Sequence, residues 1–172
     1  MKLLDRLLRS APDPREALRP LWHRVVAISR ERGWYADCGA MDSVAGRFDM
    51  ITAVLSLVLL RLERDGESAA EIALLTELFV EDMDGQLRES GVGDIVVGKH
   101  IGRLMSALGG RLGAYRAALA EGGGAALEDA VRRNVTLVAG AAPAGLAARL
   151  RGLAIELDGL AAGEILAGRI AR

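Results

Sequence analysis

The sequence predicts an all-α fold, a single-domain helical bundle of about five to seven helices, on three observations. Apolar residues make up 51% of the chain but aromatic residues only 3%, so the core must be built from Leu, Ala, Val and Ile. Leu and Ala favour helix, and strand-forming aromatic and β-branched residues are scarce. Apolar positions also recur at spacings of three and four over long stretches, the period of a helix with one face buried. Finally, a length of 172 residues suits one domain with a sizeable core.

From the N-terminus, Leu3, Leu4, Leu7 and Leu8 share one stripe of a short amphipathic helix over residues 2–9, with Lys2, Arg6 and Arg9 turned elsewhere. Pro12 and Pro14 end it. Residues 1–14 thus form an N-terminal amphipathic segment that either docks on the core or anchors at a membrane surface or partner, although two turns bind lipid weakly. Asp13-Pro14-Arg15-Glu16 is a helix start, with an N-cap residue, Pro at the first position and an acid in the first turn. The next helix breaks around Pro20 and resumes from Leu21 to Arg32, with Gly33 as its C-terminal cap. Trp34, Tyr35 and Cys38 follow in a connecting segment, where the two rings either plug the edge of the core or meet a partner.

Asp42 or Ser43 caps a helix that runs to about Arg64. Its Ile51, Val54, Leu55, Val58, Leu59 and Leu62 form one wide stripe, with Leu57 and Leu60 outside it. Apolar around most of its girth, this helix is central in the bundle, or it keeps a second apolar face for a partner. A turn over Asp65-Gly66-Glu67-Ser68 leads to a helix from about Ala69 to Ser90, carrying Ile72, Leu75, Leu78, Phe79, Met83 and Leu87. Gly91 and Gly93 supply positions of cheap positive φ. A further helix spans roughly Asp94 to Leu119, with its middle weakened at Gly109-Gly110. Gly122-Gly123-Gly124 marks a linker over residues 121–124, which divides a helical core, 15–120, from an Ala/Leu-rich helical extension, 125–172. In the extension, a helix over 125–139 is followed by a break at Pro143. Leu146, Leu150, Leu153, Leu157 and Leu160 then recur at alternating spacings of four and three. This heptad-like seam packs a terminal helix on the bundle or pairs two chains into a homodimer.

The densest charge cluster lies between Phe79 and Lys99, FVEDMDGQLRESGVGDIVVGK. Asp49, Asp82, Asp84, Asp94 and His100 offer donors for a metal site. However, Asp82 and Asp84 are two apart on a helix and point in different directions, while Asp84 and Arg88 make an ordinary i, i+4 ion pair. No metal is therefore expected. The simpler expectation is a network that sets helix register, with Arg47 or Arg111 pairing with Asp82 or Asp84. The two histidines, His23 and His100, are in no motif beside Cys38 or a serine. Gly91-Val92-Gly93-Asp94 has neither the lysine-serine pair of a phosphate loop nor a full dinucleotide fingerprint. No catalytic residue and no cofactor is expected, and no motif supports haem ligation by His23 or Met105.

A net charge of −1 gives no global field to recruit nucleic acid. Cys38 is the only cysteine, so no intrachain disulfide can form. The N-terminus lacks the apolar run of a secretory signal. The longest apolar stretch, Met50 to Leu60, is 11 residues, where a membrane span needs about 20. The expectation is a soluble cytoplasmic protein that at most touches the inner face of the cytoplasmic membrane.

Trp34-Tyr35-Ala36-Asp37, Gly46-Arg47-Phe48-Asp49, the run from Phe79 to Gly93, Gly98-Lys99 and Gly110-Arg111 with Tyr115 resemble the ubiquinol–cytochrome c chaperone family in order and spacing. The resemblance covers roughly Asp13 to Leu119 and looks like the compact bacterial form. His100 and Gly109 depart from the pattern, standing in place of a second basic residue and an aromatic. The resemblance implies an α-helical, non-enzymatic factor for assembly of respiratory complex III that binds newly made cytochrome b. Mitochondrial relatives also work with a small partner protein near the ribosomal exit, and the resemblance of a bacterial chain implies neither contact. A soluble helical protein can cover an apolar client segment with a groove. Trp34, Tyr35, Leu57 and Leu60 are candidate groove residues. Arg47, Asp82, Asp84, Arg88, Asp94 and Lys99 are candidate rim or support residues, and Phe48, Asp49, Arg111 and Tyr115 are further motif positions. The alternative is a generic helical interaction module or homodimer with no membrane-protein client.

Overall fold

Apolar residues at helical spacing gather the chain around one central helix in the computed structural model, which describes residues 13–66, 68–89, 97–122 and 124–171, with only the helical backbone of 86–89 and 97–100. A 3₁₀ turn, Pro14–Leu18, leads into α1 (Arg19–Ser29), α2 (Arg32–Ala36), α3 (Val44–Arg64), α4 (Ala69–Glu89), α5 (Val97–Ala120), α6 (Gly124–Asn134), α7 (Ala144–Asp158) and α8 (Ala162–Leu166). Among the described residues, six of these helices have 11 residues or more, and there is no strand. The all-α bundle expected from composition is the fold observed.

Central position falls to α3, which packs against α1, α4, α5, α7 and α8. Every residue from Asp49 to Leu59 is buried, so the apolar girth read from the sequence is spent mainly on the core. The buried hydroxyls are satisfied within the helix: Thr52 donates to the Phe48 and Asp49 carbonyls, and Ser56 to that of Thr52. At the start of α3, the Ser43 side chain accepts from the Gly46 N–H at 3.2 Å. Gly46 is needed there, because a Cβ would stand 1.9 Å from the Met41 carbonyl oxygen. Arg61 and Arg64 occupy the last turn, where their charge suits the helix dipole.

The helices on either side of residues 121–124 share one core. Leu146, Leu150, Leu153 and Leu157 of the heptad-like seam are fully buried, and α7 lies against α3 and α6. The seam therefore packs within the chain.

Local features depart from the sequence reading where tertiary contacts decide. Pro20 does not break a helix; it sits in the first turn of α1, where no intrahelical donor is lost. Gly33 is not a cap but lies inside α2, with Trp34 and Tyr35, under the Arg149 side chain. The helix expected over 125–139 stops at Asn134. The chain then runs beside residues 39–41, with the Met41 N–H donating to the Thr136 carbonyl and the Val138 N–H to that of Gly39, both at 2.9 Å. An isolated bridge pairs Ala40 with Leu137. The single-turn α8 has no counterpart in the sequence reading. The helix over 2–9 and the turn at Gly91–Asp94 lie outside the described residues. No helix among the described residues is long and apolar enough to cross a membrane.

Candidate functional site

The Gly46-Arg47-Phe48-Asp49 motif opens α3 and builds a buried cluster. Asp49 Oδ2 accepts from the Thr136 N–H at 2.8 Å and from the Thr136 hydroxyl at 2.7 Å. Asp49 Oδ1 accepts from Arg111 Nη2 on α5. The Arg111 guanidinium also lies over the Phe48 ring, 5.0 Å from its centroid. Phe48 in turn approaches Phe79 at 6.4 Å, and Phe79 meets Trp22 edge-on at 6.1 Å. Tyr115, one turn beyond Arg111, is wholly enclosed. Burial pushes its phenol pKa well above the ordinary value, with Arg111 opposing and Asp49 adding to the rise. Phe48, Asp49, Arg111 and Tyr115 thus come together as one cluster, with Asp49 and Tyr115 buried and Phe48 and Arg111 half-buried.

Trp34 is also internal, with 0% exposure. Its indole N–H donates to the Ile28 carbonyl at 2.6 Å, and the Arg149 guanidinium stacks 4.8 Å from its ring centroid. Arg149 bonds Glu31 at 3.0 Å as well, tying α7 to α2. Of the two readings open for Trp34, the core plug is the one found. Tyr35 is half-buried, donates to the Ser29 carbonyl at 2.8 Å, and lines a cleft of about 590 Å³ with Arg30, Arg32, Asp42, Arg47 and Val138.

Leu57 and Leu60 meet at the opposite end of α3. With Leu119, Ala154 and Ile155 they line an open groove of about 420 Å³ between α3, α5 and α7. Ile155, 65% exposed, is the large hydrophobic residue of this groove that stands open to solvent. Arg61, Glu63, Arg64, Arg116, Arg151 and Asp158 surround it. Arg64 pairs with Asp158 and Arg116 with Glu63, while Arg61 donates to the Leu157 and Leu160 carbonyls. These bonds pin the groove walls to one another, so the opening is set by α7.

The expected pairing of Arg47 or Arg111 with the acids of α4 is not made. Arg47 pairs with Asp42 at 2.6 Å, and Arg111 reaches Asp49 because α5 packs on α3 with that carboxylate facing it. Asp82 lines a third cleft, about 680 Å³ between α1 and α4, with Trp22, His23, Leu78 and Glu81. Asp84 is on α4 and partly exposed. Arg88 and Lys99 fall on the backbone of α4 and α5, with side chains outside the described set, and Asp94 is outside the described residues altogether. Among the described residues, no three His, Cys, Asp or Glu side chains gather as a metal site requires. Sequence reasoning missed Thr136, Arg149 and Ile155. Ile155 carried a signal, as an apolar residue off the leucine seam; Thr136 and Arg149 matter through partners 87 and 118 residues away.

The family model described as "Ubiquinol-cytochrome C chaperone" matches residues 36–171. The match extends the likeness past Leu119 and through α6, α7 and α8. Among solved structures, the crystal structure of the Cbp3 homolog from Brucella abortus is similar, with a TM-score of 0.78 and 29% identity over 91% of this chain and 88% of that one. No curated protein gives a significant match.

Proposed function

The chain belongs to the ubiquinol–cytochrome c chaperone family, and on that premise we propose that it is a non-catalytic assembly factor for ubiquinol–cytochrome c reductase. It covers an apolar segment of newly made cytochrome b until haem and partner subunits arrive. The observation that carries this reading is the groove of Leu57, Leu60 and Ile155 walled by arginines. An apolar helix laid in such a groove removes its exposed side chains from water. The guanidinium groups of the rim suit the carbonyls and acids at the end of a membrane helix. Support for a client, in preference to self-pairing through the leucine seam, comes from the burial of that seam inside the chain.

Replacing Ile155 by Glu places a charge on the floor of the groove at a solvent-exposed position, so folding is expected to change by no more than about 0.5 kcal/mol. In the protein's own host, Ile155→Glu is expected to lower the amount of assembled complex III while leaving the variant's abundance and melting temperature unchanged. Normal complex III with a stable variant would count against the groove as the client site.

A further inference from the structure

We propose that the face at the N-terminal end of α3 is a docking surface for a bilayer carrying anionic phospholipid. Three arginines, Arg30, Arg32 and Arg47, line the cleft there, against one carboxylate, Asp42. Arg47 shares its charge with Asp42 at 2.6 Å. Arg30 and Arg32 are exposed and have no carboxylate partner among the described residues. The cleft therefore carries uncompensated positive charge.

Apolar side chains stand in water beside these charges. Met41, Val44 and Val138, at 36%, 90% and 48% exposure, are three of the five large hydrophobic residues exposed among the described residues. Val138 lines the cleft itself, and Met41 and Val44 flank its Asp42 along the chain. Val44 opens α3 beside Asp42 and Arg47, and the hydrogen bonds from Met41 to Thr136 and from Val138 to Gly39 hold the other two strands of chain together. The backbone is fixed at all three positions, by the α3 cap at Val44 and by this ladder at the other two, so the side chains cannot retreat into the core.

Cations with apolar residues interspersed match an anionic membrane interface. Arginine stems lie along the apolar layer while their guanidinium groups bind headgroup phosphate bidentately. Valine and methionine enter the acyl boundary. An acidic peptide would use the arginines but leave Met41, Val44 and Val138 wet, so the bilayer is the better-fitting occupant. The surface is also placed to work beside a client. Arg47 and Leu60 are 13 residues apart on one helix, which is about 20 Å, so a membrane on this face leaves the α3–α5–α7 groove open. The inference does not depend on the client reading, since its test contains no client.

The test is flotation of the full chain with two vesicle preparations, phosphatidylcholine alone and phosphatidylcholine with about one third phosphatidylglycerol, a typical anionic surface. Binding to the anionic vesicles only, weakened by added salt, is expected. The double variant Arg30→Glu/Arg32→Glu should bind at least about tenfold more weakly, and Val44→Asp should also weaken binding, with helical circular dichroism unchanged in both. Deleting residues 1–12 separates the contribution of the N-terminal leucines. The proposal is overturned by no vesicle binding, by equal binding to both preparations, or by loss on deletion of 1–12 with the two surface variants binding as the parent does. Capture of an acidic peptide by Arg30 and Arg32 without vesicle binding overturns it as well.

Discussion

Asp49 joins three segments because both carboxylate oxygens are in use, one for Arg111 on α5 and the other for the backbone and hydroxyl of Thr136. Removing one partner of a buried ion pair leaves the other charge unpaired, so Asp49→Ala is expected to destabilise folding by about 3 kcal/mol or more. Asp82 lies in an open cleft and has no ion pair among the described residues, so Asp82→Ala should stay within about 0.5 kcal/mol. Urea unfolding of the two variants checks both, and equal losses would contradict the assignment. The sequence marked Gly46-Arg47-Phe48-Asp49 as a unit but gave Arg111 the wrong acid. Spacing reports partners one helical turn away, whereas Arg111 and Asp49 are 62 residues apart, and their pairing follows from which helix α5 packs against. Tyr35 and Tyr115 are the only tyrosines, and burial raises the pKa of each. Unfolded phenols ionise near 10. Above that pH the folded state keeps protons that the unfolded chain has lost, so stability falls as pH rises. Tyrosinate absorbance should therefore rise at higher pH in native buffer than in denaturant; superimposed curves would contradict the burial.

Element boundaries were legible where local chemistry sets them. Ser43 caps α3 from its own side chain, and the apolar girth of α3 pointed to the centre of the bundle, where it lies. Asn134 was not legible as the end of α6, because the chain leaves the helix to give Thr136 to Asp49 and to pair with residues 39–41. α7 shows the same division. Its buried leucine face was readable as a seam, but the stacking of Arg149 on Trp34 across the molecule was not. Gly46 tests this scale. Its hydrogen is the only substituent that fits beneath the Met41 carbonyl, so Gly46→Ala must displace the loop that feeds α3. A loss of about 1–3 kcal/mol is expected by thermal or urea unfolding, and an unchanged midpoint would mean that the loop yields freely.

Across the whole molecule, one core runs through helices on both sides of the glycine linker, and α3 carries a different surface at each end. Near Val44 the surface is cationic with exposed apolar residues, and near Leu60 it is an apolar groove walled by α7. Leu57 and Leu60, which lie off the main stripe of α3, both line the groove between α3, α5 and α7. Trp34 was ambiguous, since an aromatic at a helix end reads alike as a plug or a contact until its surroundings are known. The most direct test of the central claim is a photo-crosslinking residue placed at Ile155, used in the protein's own host, with the captured species identified by mass spectrometry. Enrichment of cytochrome b at this position, and not with the same residue at exposed Glu77 of α4, which does not line the groove, is the expected result. Capture of only the protein itself or of soluble proteins, while complex III is being assembled, would contradict the account.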